Sequence, residues 1–194
     1  MRIVVNAGHT KLGKGVGAYK HLSESREVRR IAYHLMYLLA GTNHEVIPAV
    51  FDVSNDNLKE AVKLSNDKKA DLFISVHLNA GGGEGVECFT WKGKKLAQAT
   101  NICKNIAALG YKNRGVKDGS HLYVINKTNA DTEAILVECC FVDNQKDVEK
   151  YNAYKMAQAI YDAIVWCAAI AGLTRFDFSR WKIFVIIIIT PLNI

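Results

Sequence analysis

The sequence lacks the cysteine patterns that build disulfide scaffolds or cysteine zinc sites. Its five cysteines are an odd number, and no two of them are spaced as C-x-x-C. A disulfide framework uses paired cysteines, and a structural zinc site usually takes closely spaced ones. Cys139 and Cys140 are adjacent, so on a strand they would point to opposite faces. We therefore interpret the cysteines as small buried hydrophobes of a protein made in a reducing compartment.

Proline is also scarce, with two residues in 194, and the chain has no low-complexity tract and no sustained internal repeat. Because 49% of the residues are hydrophobic, the chain can bury a core, which argues against disorder. Nothing within residues 1–172 has the composition of a linker, and this predicts a single domain over that range. Residues 173–194 are left as an apolar C-terminal tail of unknown role.

A secretory signal and a membrane-spanning run are both missing from the sequence. The N-terminus begins with a strand-like run instead of a basic stretch, an apolar core and a cleavage site. The apolar run at 181–189 is shorter than the roughly 20 residues that a spanning helix needs. An added buried strand, a surface anchor and a gene truncation all remain open for this run. We expect no stable membrane span and no signal peptide.

Nucleic-acid-binding motifs are absent as well, although the chain is basic. The formal net charge is +6 and the sequence pI is about 9.0, with lysines and arginines spread along the chain as pairs and singles. A mild, dispersed excess favours loose association with any polyanion, including nucleic acid, an anionic membrane or an acidic cell wall, and does not choose among them. Without a helix-turn-helix, zinc-finger or ribonucleoprotein motif, this charge does not predict a nucleic-acid partner.

Three apolar runs stand out, and each ends on a residue that can hold a metal or move a proton. They occupy residues 2–9, 71–77 and 133–138 and end on His9, His77 and Glu138. Short runs rich in Val and Ile are typical of strands that are buried on both faces of a sheet. Open α/β sheets bind ligands beyond the carboxyl ends of their strands. The three ends therefore suggest one site, of the kind found in metallohydrolases.

The rest of the sequence alternates between strand-like and helix-like segments, as in α/β folds. A helix is predicted from Ser23, which suits the N-cap position, to the residue before Gly41. Further strands are predicted at 45–50, 72–76, 86–91, 121–125 and 134–137, and further helices at 57–68, 94–109 and 152–171, the last stopped by Gly172. The expected fold class is α/β: a single domain with a twisted, mostly parallel mixed sheet of about six strands flanked by about five helices.

Two histidines and a carboxylate would suit a catalytic zinc ion, which usually takes three protein ligands and leaves a fourth position for water. A second carboxylate would serve as the base that moves the water's proton to the leaving amine. Glu24, in the first turn of a helix after the His9 loop, suits the ligand role, and Glu138, at the end of an apolar strand, suits the base. A first-turn Glu is also commonly only a partner of the helix dipole, so both interpretations of Glu24 remain open.

Four short runs, in this order, resemble the zinc-dependent N-acetylmuramoyl-L-alanine amidases of the type-3 family. They are NAGH at 6–9, GA at 17–18 followed by Glu24, SVHLNA at 75–80 and LVECCFV at 136–142. GVE at 85–87, NRGV at 113–116 and LYVI at 122–125 agree with the same family. The resemblance covers about residues 1–171, which makes these the catalytic domain, and is strongest to the catalytic domains of clostridial phage endolysins.

This resemblance implies that His9, Glu24 and His77 hold Zn²⁺ and that Glu138 is the catalytic acid and base. The implied substrate is peptidoglycan, and the implied reaction is hydrolysis of the amide between the lactyl group of N-acetylmuramic acid and the L-alanine of the stem peptide. For an endolysin, it further implies synthesis in the host cytoplasm and action on the cell wall after release. The oligomeric state and the bacterium whose wall is cut are left open.

Three further residues are candidates for substrate contacts. Asn79 follows His77 and either orients the site or closes a turn through its side chain. His121 and Tyr123 either line a peptide groove or only alternate in a half-buried strand. The chain departs from many relatives at Glu133, where they have Pro, and at Cys140, where they have Gly. Both departures lie near Glu138 and bear on substrate contacts more than on the metal.

Other functions are compatible with the same residues. A bacterial autolysin or sporulation amidase would use the same chemistry, and a zinc peptidase would keep the metal and change the substrate. A non-catalytic wall-binding module would keep only the fold, but it would have no need for His9, Glu24, His77 and Glu138 together. Family endolysins usually carry a separate wall-binding domain, so wall targeting is not explained by these 194 residues.

Overall fold

A computed structural model describes residues 1–170 of the chain. Six β-strands of this region form one mixed sheet. The strands are β1 (Arg2–Ala7), β2 (Glu45–Ala49), β3 (Leu72–Asn79), β4 (Val86–Thr90), β5 (Asn113–Asp118) and β6 (Glu133–Phe141). They lie in the order β2-β1-β3-β6-β4-β5, and within this sheet the β6–β4 pair is antiparallel while the other pairs are parallel. The predicted α/β fold with a mostly parallel mixed sheet is confirmed.

Helices cover both faces of this sheet. They are α1 (Glu24–Ala40), α2 (Asn57–Asp67), α3 (Ala97–Ala108), α4 (Tyr123–Asn126), α5 (Gln145–Glu149) and α6 (Ala153–Ile170). Residues of α1, α3 and α6 pack together in one core, and residues of α2 and α4 pack in the other. The described residues thus hold six α-helices, one more than predicted. The expected stop at Gly172 and the apolar tail at 173–194 lie outside the described residues.

The two cores explain why the sequences of the central strands β1 and β3 are mostly apolar. In β1, Ile3 and Val5 enter the core that contains α1, whereas Val4 enters the core that contains α2. Successive side chains of a strand point to opposite faces, so a strand with helices on both sides buries every position. The same pattern runs through β3, whose first seven residues are all buried.

One predicted strand is wrong. Residues 121–125 do not form a strand; His121 lies in a turn and Tyr123 begins α4. Val124 and Ile125 of this apolar segment fill the core beside α2, so a single helical turn buries them as well as a strand would. The missing strand is β5, whose mixed polar sequence, NRGVKD, is half-exposed at the edge of the sheet. An edge strand with few apolar residues gives a weak sequence signal.

The helix starts also differ in detail from the predicted ones. Ser23 does occupy the N-cap position of α1, but its side chain makes no capping hydrogen bond. The helix expected from residue 94 begins at Ala97, because a 3-10 turn at Trp91–Gly93 comes first, with Lys92 at a left-handed φ of 51°. Within residues 1–170, no helix is both long enough and apolar enough to cross a membrane. All five cysteines are free thiols, and four are buried.

Candidate metal centre

His9, Glu24 and His77 come together at the carboxyl end of the central strands. His9 follows β1, Glu24 is the first residue of α1, and His77 lies near the end of β3, the strand that pairs with β1. Glu24 Oε1 is 3.0 Å from His9 Nε2 and 3.2 Å from His77 Nδ1. One ligand atom from each residue lies within 4.8 Å of the other two. The sheet and the first turn of α1 therefore bring together the three residues that the sequence singled out.

Backbone N–H groups hold Glu24 in place. The Ala18 N–H donates to Oε2 at 2.8 Å, and the Leu78 N–H donates to Oε1 at 3.1 Å. The carboxylate, which is 4% exposed, thus bridges the β1–α1 loop and the end of β3. Burial alone would raise the pKa of Glu24, but hydrogen bonds to His77 and His9 hold it far below its usual range. Glu24 is therefore a fixed, ionised carboxylate.

A chain of hydrogen bonds sets the orientation of the His77 ring. The Asn6 side-chain N–H donates to the Ala49 carbonyl at 2.8 Å, which leaves Asn6 Oδ1 to accept from the Ser75 hydroxyl at 2.7 Å. Because Ser75 Oγ donates its proton to Asn6, it accepts from His77 Nε2 at 3.1 Å. When the ring is neutral, its proton therefore lies on Nε2 and the Nδ1 lone pair faces Glu24. When the ring is protonated, Nδ1 also carries a proton and donates it to Glu24 Oε1.

His9 is oriented in the same way through a backbone carbonyl. His9 Nδ1 lies 3.0 Å from the Gly15 carbonyl oxygen, which can only accept, so Nδ1 carries the proton. In the neutral ring the Nε2 lone pair faces Glu24 Oε1, and in the protonated ring Nε2 donates a hydrogen bond to that oxygen. Burial would lower the pKa of His9, but the hydrogen bond and charge of Glu24 raise it. At His77 burial prevails, and its pKa is lowered.

The resulting donor set fits a divalent metal ion. Two imidazole lone pairs and a carboxylate oxygen converge on one small volume, and three acceptors so placed are stabilised by a cation between them. Each imidazole also has its other ring nitrogen held by a hydrogen bond, as is usual for histidine metal ligands. His, His and Glu is a common ligand set of catalytic zinc sites.

Two glycines leave the volume that these side chains fill. A Cβ built on Gly8 would lie 2.3 Å from Cε1 of the His77 ring. A Cβ on Gly17 would lie 2.6 Å from Glu24 Oε2, and Gly17 also has a φ of +75°, which L side chains rarely adopt. The glycines of the NAGH and GA runs are therefore required by the packing around His77 and Glu24.

Glu138 lies beside this cluster without belonging to it. In the sheet it is the register partner of His77, but the group of mutually close ligand atoms in the described chain contains His9, Glu24 and His77. Glu138 Oε2 is buried, and it has no hydrogen-bond partner among the described residues. Burial, with smaller contributions from the charges of Glu24 and Glu87, raises the pKa of Glu138 to about 8. A carboxyl group with this pKa can both take and give a proton near neutral pH.

The candidate substrate contacts fall in different places. Asn79 ends β3 next to the site; its Nδ2 donates to Glu87 Oε1 at 2.8 Å, and its Oδ1 accepts from the Ala80 N–H at 2.8 Å. It therefore closes a turn and also links two strands. His121 and Tyr123 follow β5, whose end points to the opposite edge of the sheet, and the structure does not bring them together with His9, Glu24 and His77.

Several residues of the site were not predicted. Ser75 and Asn6 orient His77, and Glu87 faces Glu138 across the β4–β6 pair. Buried polar residues in otherwise apolar strands were the available signal, since such residues need a partner. Ser75 lies two residues before His77 and so shares its face of the strand. The partners themselves depend on the strand register.

Comparison with known proteins agrees with this geometry. The profile of the N-acetylmuramoyl-L-alanine amidase family matches residues 3–168. An uncharacterised protein of Clostridium perfringens is 34% identical over 163 residues, which are 78% of this chain and 47% of that protein. The chain thus spans about half the length of this relative.

Two solved structures have the same fold over nearly their whole length. The catalytic domain of the CD27L endolysin, which targets Clostridia difficile, superposes with a TM-score of 0.76 at 28% identity, over 85% of this chain and 97% of that one. The catalytic domain of CwlV, an N-acetylmuramoyl-L-alanine amidase from Bacillus (Paenibacillus) polymyxa var. colistinus, also gives 0.76, at 27% identity, over 88% and 99%.

Proposed function

The chain belongs to the N-acetylmuramoyl-L-alanine amidase family, and on this premise we propose that it is a zinc-dependent peptidoglycan hydrolase. Its reaction is hydrolysis of the amide between N-acetylmuramic acid and the L-alanine of the stem peptide. The observation that carries the proposal is the convergence of two oriented imidazoles and one carboxylate beside Glu138, a half-buried residue whose carboxyl has a raised pKa.

His9, Glu24 and His77 are the residues that would hold the metal. Zinc, when bound, lowers the pKa of its water ligand and polarises the carbonyl oxygen of the scissile amide. The protein's part is to hold each imidazole with the correct ring nitrogen toward the metal, which the Gly15 carbonyl and Ser75 hydroxyl do. Glu24 neutralises part of the metal charge and cannot swing away, because Ala18 and Leu78 hold both of its oxygens.

Glu138 supplies the proton transfers. Its carboxylate takes a proton from the attacking water, and the resulting carboxylic acid gives it to the amide nitrogen as the bond breaks. This step requires a carboxyl whose pKa is near the working pH, since a normal Glu would be a poor proton donor to an amine. Burial of the Glu138 carboxyl meets this requirement, because it raises the pKa to about 8.

For the biological role, we propose that the enzyme is a phage endolysin that reaches the cell wall after release from the host cytoplasm. Similarity to the catalytic domain of CD27L supports this role. A bacterial wall amidase with the same chemistry is the second candidate, and similarity to CwlV supports it to nearly the same degree. The active-site geometry is common to both roles.

The test of the reaction is an assay on isolated cell walls. We expect new L-alanine amino termini to appear with time, to stop when a chelator removes the metal, and to resume when zinc is restored. New reducing sugar ends in place of amino termini would show a glycosidase and overturn the amidase proposal. Turnover that survives complete metal removal would overturn the zinc mechanism.

Substitutions separate the ligand role from the proton-transfer role. His77→Ala should lose both zinc binding and activity, because it removes one of three ligands, whereas His34→Ala, at a half-buried position of α1 whose ring packs against Tyr154, should retain both. Glu138→Gln should bind zinc with the wild-type stoichiometry, yet lower kcat by about 10² to 10⁴. Glu45→Gln, on the exposed β2 edge, is its matched control. Loss of zinc from Glu138→Gln would reassign Glu138 as a ligand.

A further inference from the structure

A row of polar side chains continues from the candidate metal centre across the sheet. His77 of β3 is the register partner of Glu138 of β6, and Glu138 is in turn the partner of Glu87 of β4. Register partners on neighbouring strands share a face of the sheet and stand about 5 Å apart. Glu87 is therefore the next side chain along the row from Glu138.

Glu87 is a buried carboxylate, and both of its oxygens accept hydrogen bonds. Its Oε1 accepts from Asn79 at 2.8 Å, and its Oε2 accepts from Arg114 Nε at 2.5 Å and from Lys117 Nζ. Its side chain is 4% exposed. Burial alone would raise the pKa of Glu87, but Lys117 and Arg114 hold it below its usual range. Glu87 thus remains ionised and anchors both cations.

Arg114 and Lys117 carry more positive charge than Glu87 neutralises, since two cations share one carboxylate. Both reach the surface: their side chains are 28% and 38% exposed. Among the described residues, the hydrogen bond of Arg114 is made by Nε to Glu87, which leaves its two terminal NH₂ groups for another partner. The ring of Phe141 lies 5.1 Å from the guanidinium carbon and supports it. The result is a fixed guanidinium fork that faces outward beside a cation.

We propose that Arg114 and Lys117 form a subsite for a carboxylate of the stem peptide, and that this subsite sets the enzyme's preference between acidic and amidated walls. This inference rests on the proposed function. A guanidinium fork binds a carboxylate through two parallel hydrogen bonds, and the neighbouring ammonium adds charge. Among the described residues, the ion pairs of Arg114 and Lys117 are with Glu87, so a carboxylate of the substrate would balance the second positive charge.

The position of the subsite indicates which part of the substrate it meets. β5, which carries Arg114, lies two strand spacings from β6, or about 10 Å. An extended peptide covers that distance in about three residues. With the scissile amide at Glu138, the subsite therefore reaches the second or third residue of the stem peptide, where an acidic residue presents its free carboxylate or, in amidated walls, a carboxamide.

The test uses two muramoyl tripeptides whose second residue is glutamate with either a free α-carboxylate or an α-carboxamide. For the zinc-loaded wild type we expect kcat/KM to be about 10-fold higher on the carboxylate, mainly through KM, because a charge-assisted pair is lost with the carboxamide. Arg114→Gln should remove this preference by slowing the carboxylate probe alone. Lys117→Gln should reduce it, and Lys104→Gln, on the exposed side of α3, should preserve it as a control for net charge.

Two other results with Arg114→Gln would contradict the proposed subsite. Equal loss on both probes in Arg114→Gln, with an unchanged probe ratio, would mean that Arg114 only holds Glu87 in place. No loss on either probe would mean that it touches no substrate. If Arg114→Gln fails to fold, Lys117→Gln alone decides by the same ratio.

A binding experiment separates this inference from the proposed function. If the wild type cleaves neither probe, the amidase proposal fails, and calorimetry with the two free tripeptides then tests the subsite by itself. Tighter binding of the carboxylate tripeptide to the wild type, lost in Arg114→Gln, would support the subsite. Equal affinity for the two tripeptides would overturn it.

Discussion

Glu24 shows how one residue can serve several neighbours at once. Its two oxygens accept hydrogen bonds from the Ala18 and Leu78 N–H groups, and Oε1 also faces both imidazoles. A first-turn Glu that only complemented the helix dipole would have no such partners, so the structure favours the ligand interpretation. The partners His77 and Leu78 lie more than 50 residues away in sequence, which is why the residue pattern left both interpretations open.

Glu138 gives a prediction about stability in the metal-free protein. Its pKa is raised to about 8 in the folded state by burial, whereas an unfolded Glu titrates near 4.3. The folded state therefore holds this proton more tightly, and the stabilisation is full below the unfolded pKa and is lost as pH rises through the folded one. Glu138→Gln mimics the protonated side chain and does not titrate. The difference in free energy of unfolding between this variant and the wild type should therefore grow in favour of the variant by about 3 kcal/mol between about pH 5 and pH 8.

Urea denaturation in the presence of a chelator measures this difference. Glu45→Gln, at an exposed position, is the control and should keep a constant small difference from the wild type at both pH values. A Glu138→Gln advantage that does not change with pH would mean that the carboxyl titrates normally in the folded protein.

At the scale of elements, the β1–α1 connection is the part of the fold that builds the centre. His9 has a left-handed φ of 67°, an uncommon conformation for a residue other than glycine. The loop that follows is closed by hydrogen bonds from the Thr10 N–H to the Gly15 carbonyl and from its hydroxyl to the Lys14 carbonyl. The Lys11 N–H ties it to the Asp52 carbonyl. The loop is thus a defined structure that turns the His9 ring toward Glu24.

Gly8→Ala should disturb the centre through a single methyl group. The added Cβ would lie 2.3 Å from His77 Cε1 and 2.4 Å from Nε2, the atom through which Ser75 holds this ring. We expect zinc affinity to fall by about 10- to 100-fold. The free energy of unfolding should fall by about 1–3 kcal/mol, as for other overpacked sites. Zinc titration calorimetry and urea denaturation measure the two effects.

Gly13→Ala in the same loop is the matched control. Gly13 has a φ of +82°, and a Cβ there would meet no atom within 4 Å. It should therefore cost about 1–2 kcal/mol of backbone strain and leave zinc affinity unchanged. Wild-type zinc affinity in Gly8→Ala would show that the His77 ring can move without cost and would contradict the prediction.

At the scale of the whole molecule, the faces of the sheet and its carboxyl edge have different roles. Helices bury both faces and supply the core, which leaves the carboxyl edge of β1, β3 and β6 for chemistry. Because β4 runs antiparallel to β6, its first residues return to that same edge and extend the polar row to Glu87. The net charge of +6 favours approach to an anionic wall, and screening by salt should weaken that approach.

The division of the chain at residue 172 gives a prediction at this scale. Within the described residues, α1 and α3 pack against α6 through core residues that extend as far as Val165. We therefore expect a chain cut after residue 172 to unfold in one cooperative transition, with a free energy of unfolding within about 1 kcal/mol of the full chain, and to keep its kcat on a soluble muropeptide. Urea denaturation and the amidase assay check this. A loss of cooperativity would show that residues 173–194 are part of the domain.

Prediction from sequence succeeded for the strands whose burial on both faces produces an apolar run in the sequence. The runs that become β1, β3 and β6 were recognised because strands covered on both faces are mostly apolar along their length. It failed at residues 121–125, where an apolar segment forms a turn and a short helix, and at β5, where a polar edge strand resembles a loop. His9, His77 and Glu138 were found as strand-end residues, whereas the role of Glu24 needed the family resemblance.

The sequence by itself determined the fold class, the amidase family and the identity of the four residues proposed for catalysis, because these depend on composition, local periodicity and ordered motifs. Only the tertiary structure decided how the His77 ring is turned by Ser75 and Asn6, and which charges surround Glu138. The physical reason is that these contacts depend on strand register. A parallel β3 and an antiparallel β4 bring His77 and Glu87 to opposite sides of Glu138, and neither pairing leaves a local signal in the chain.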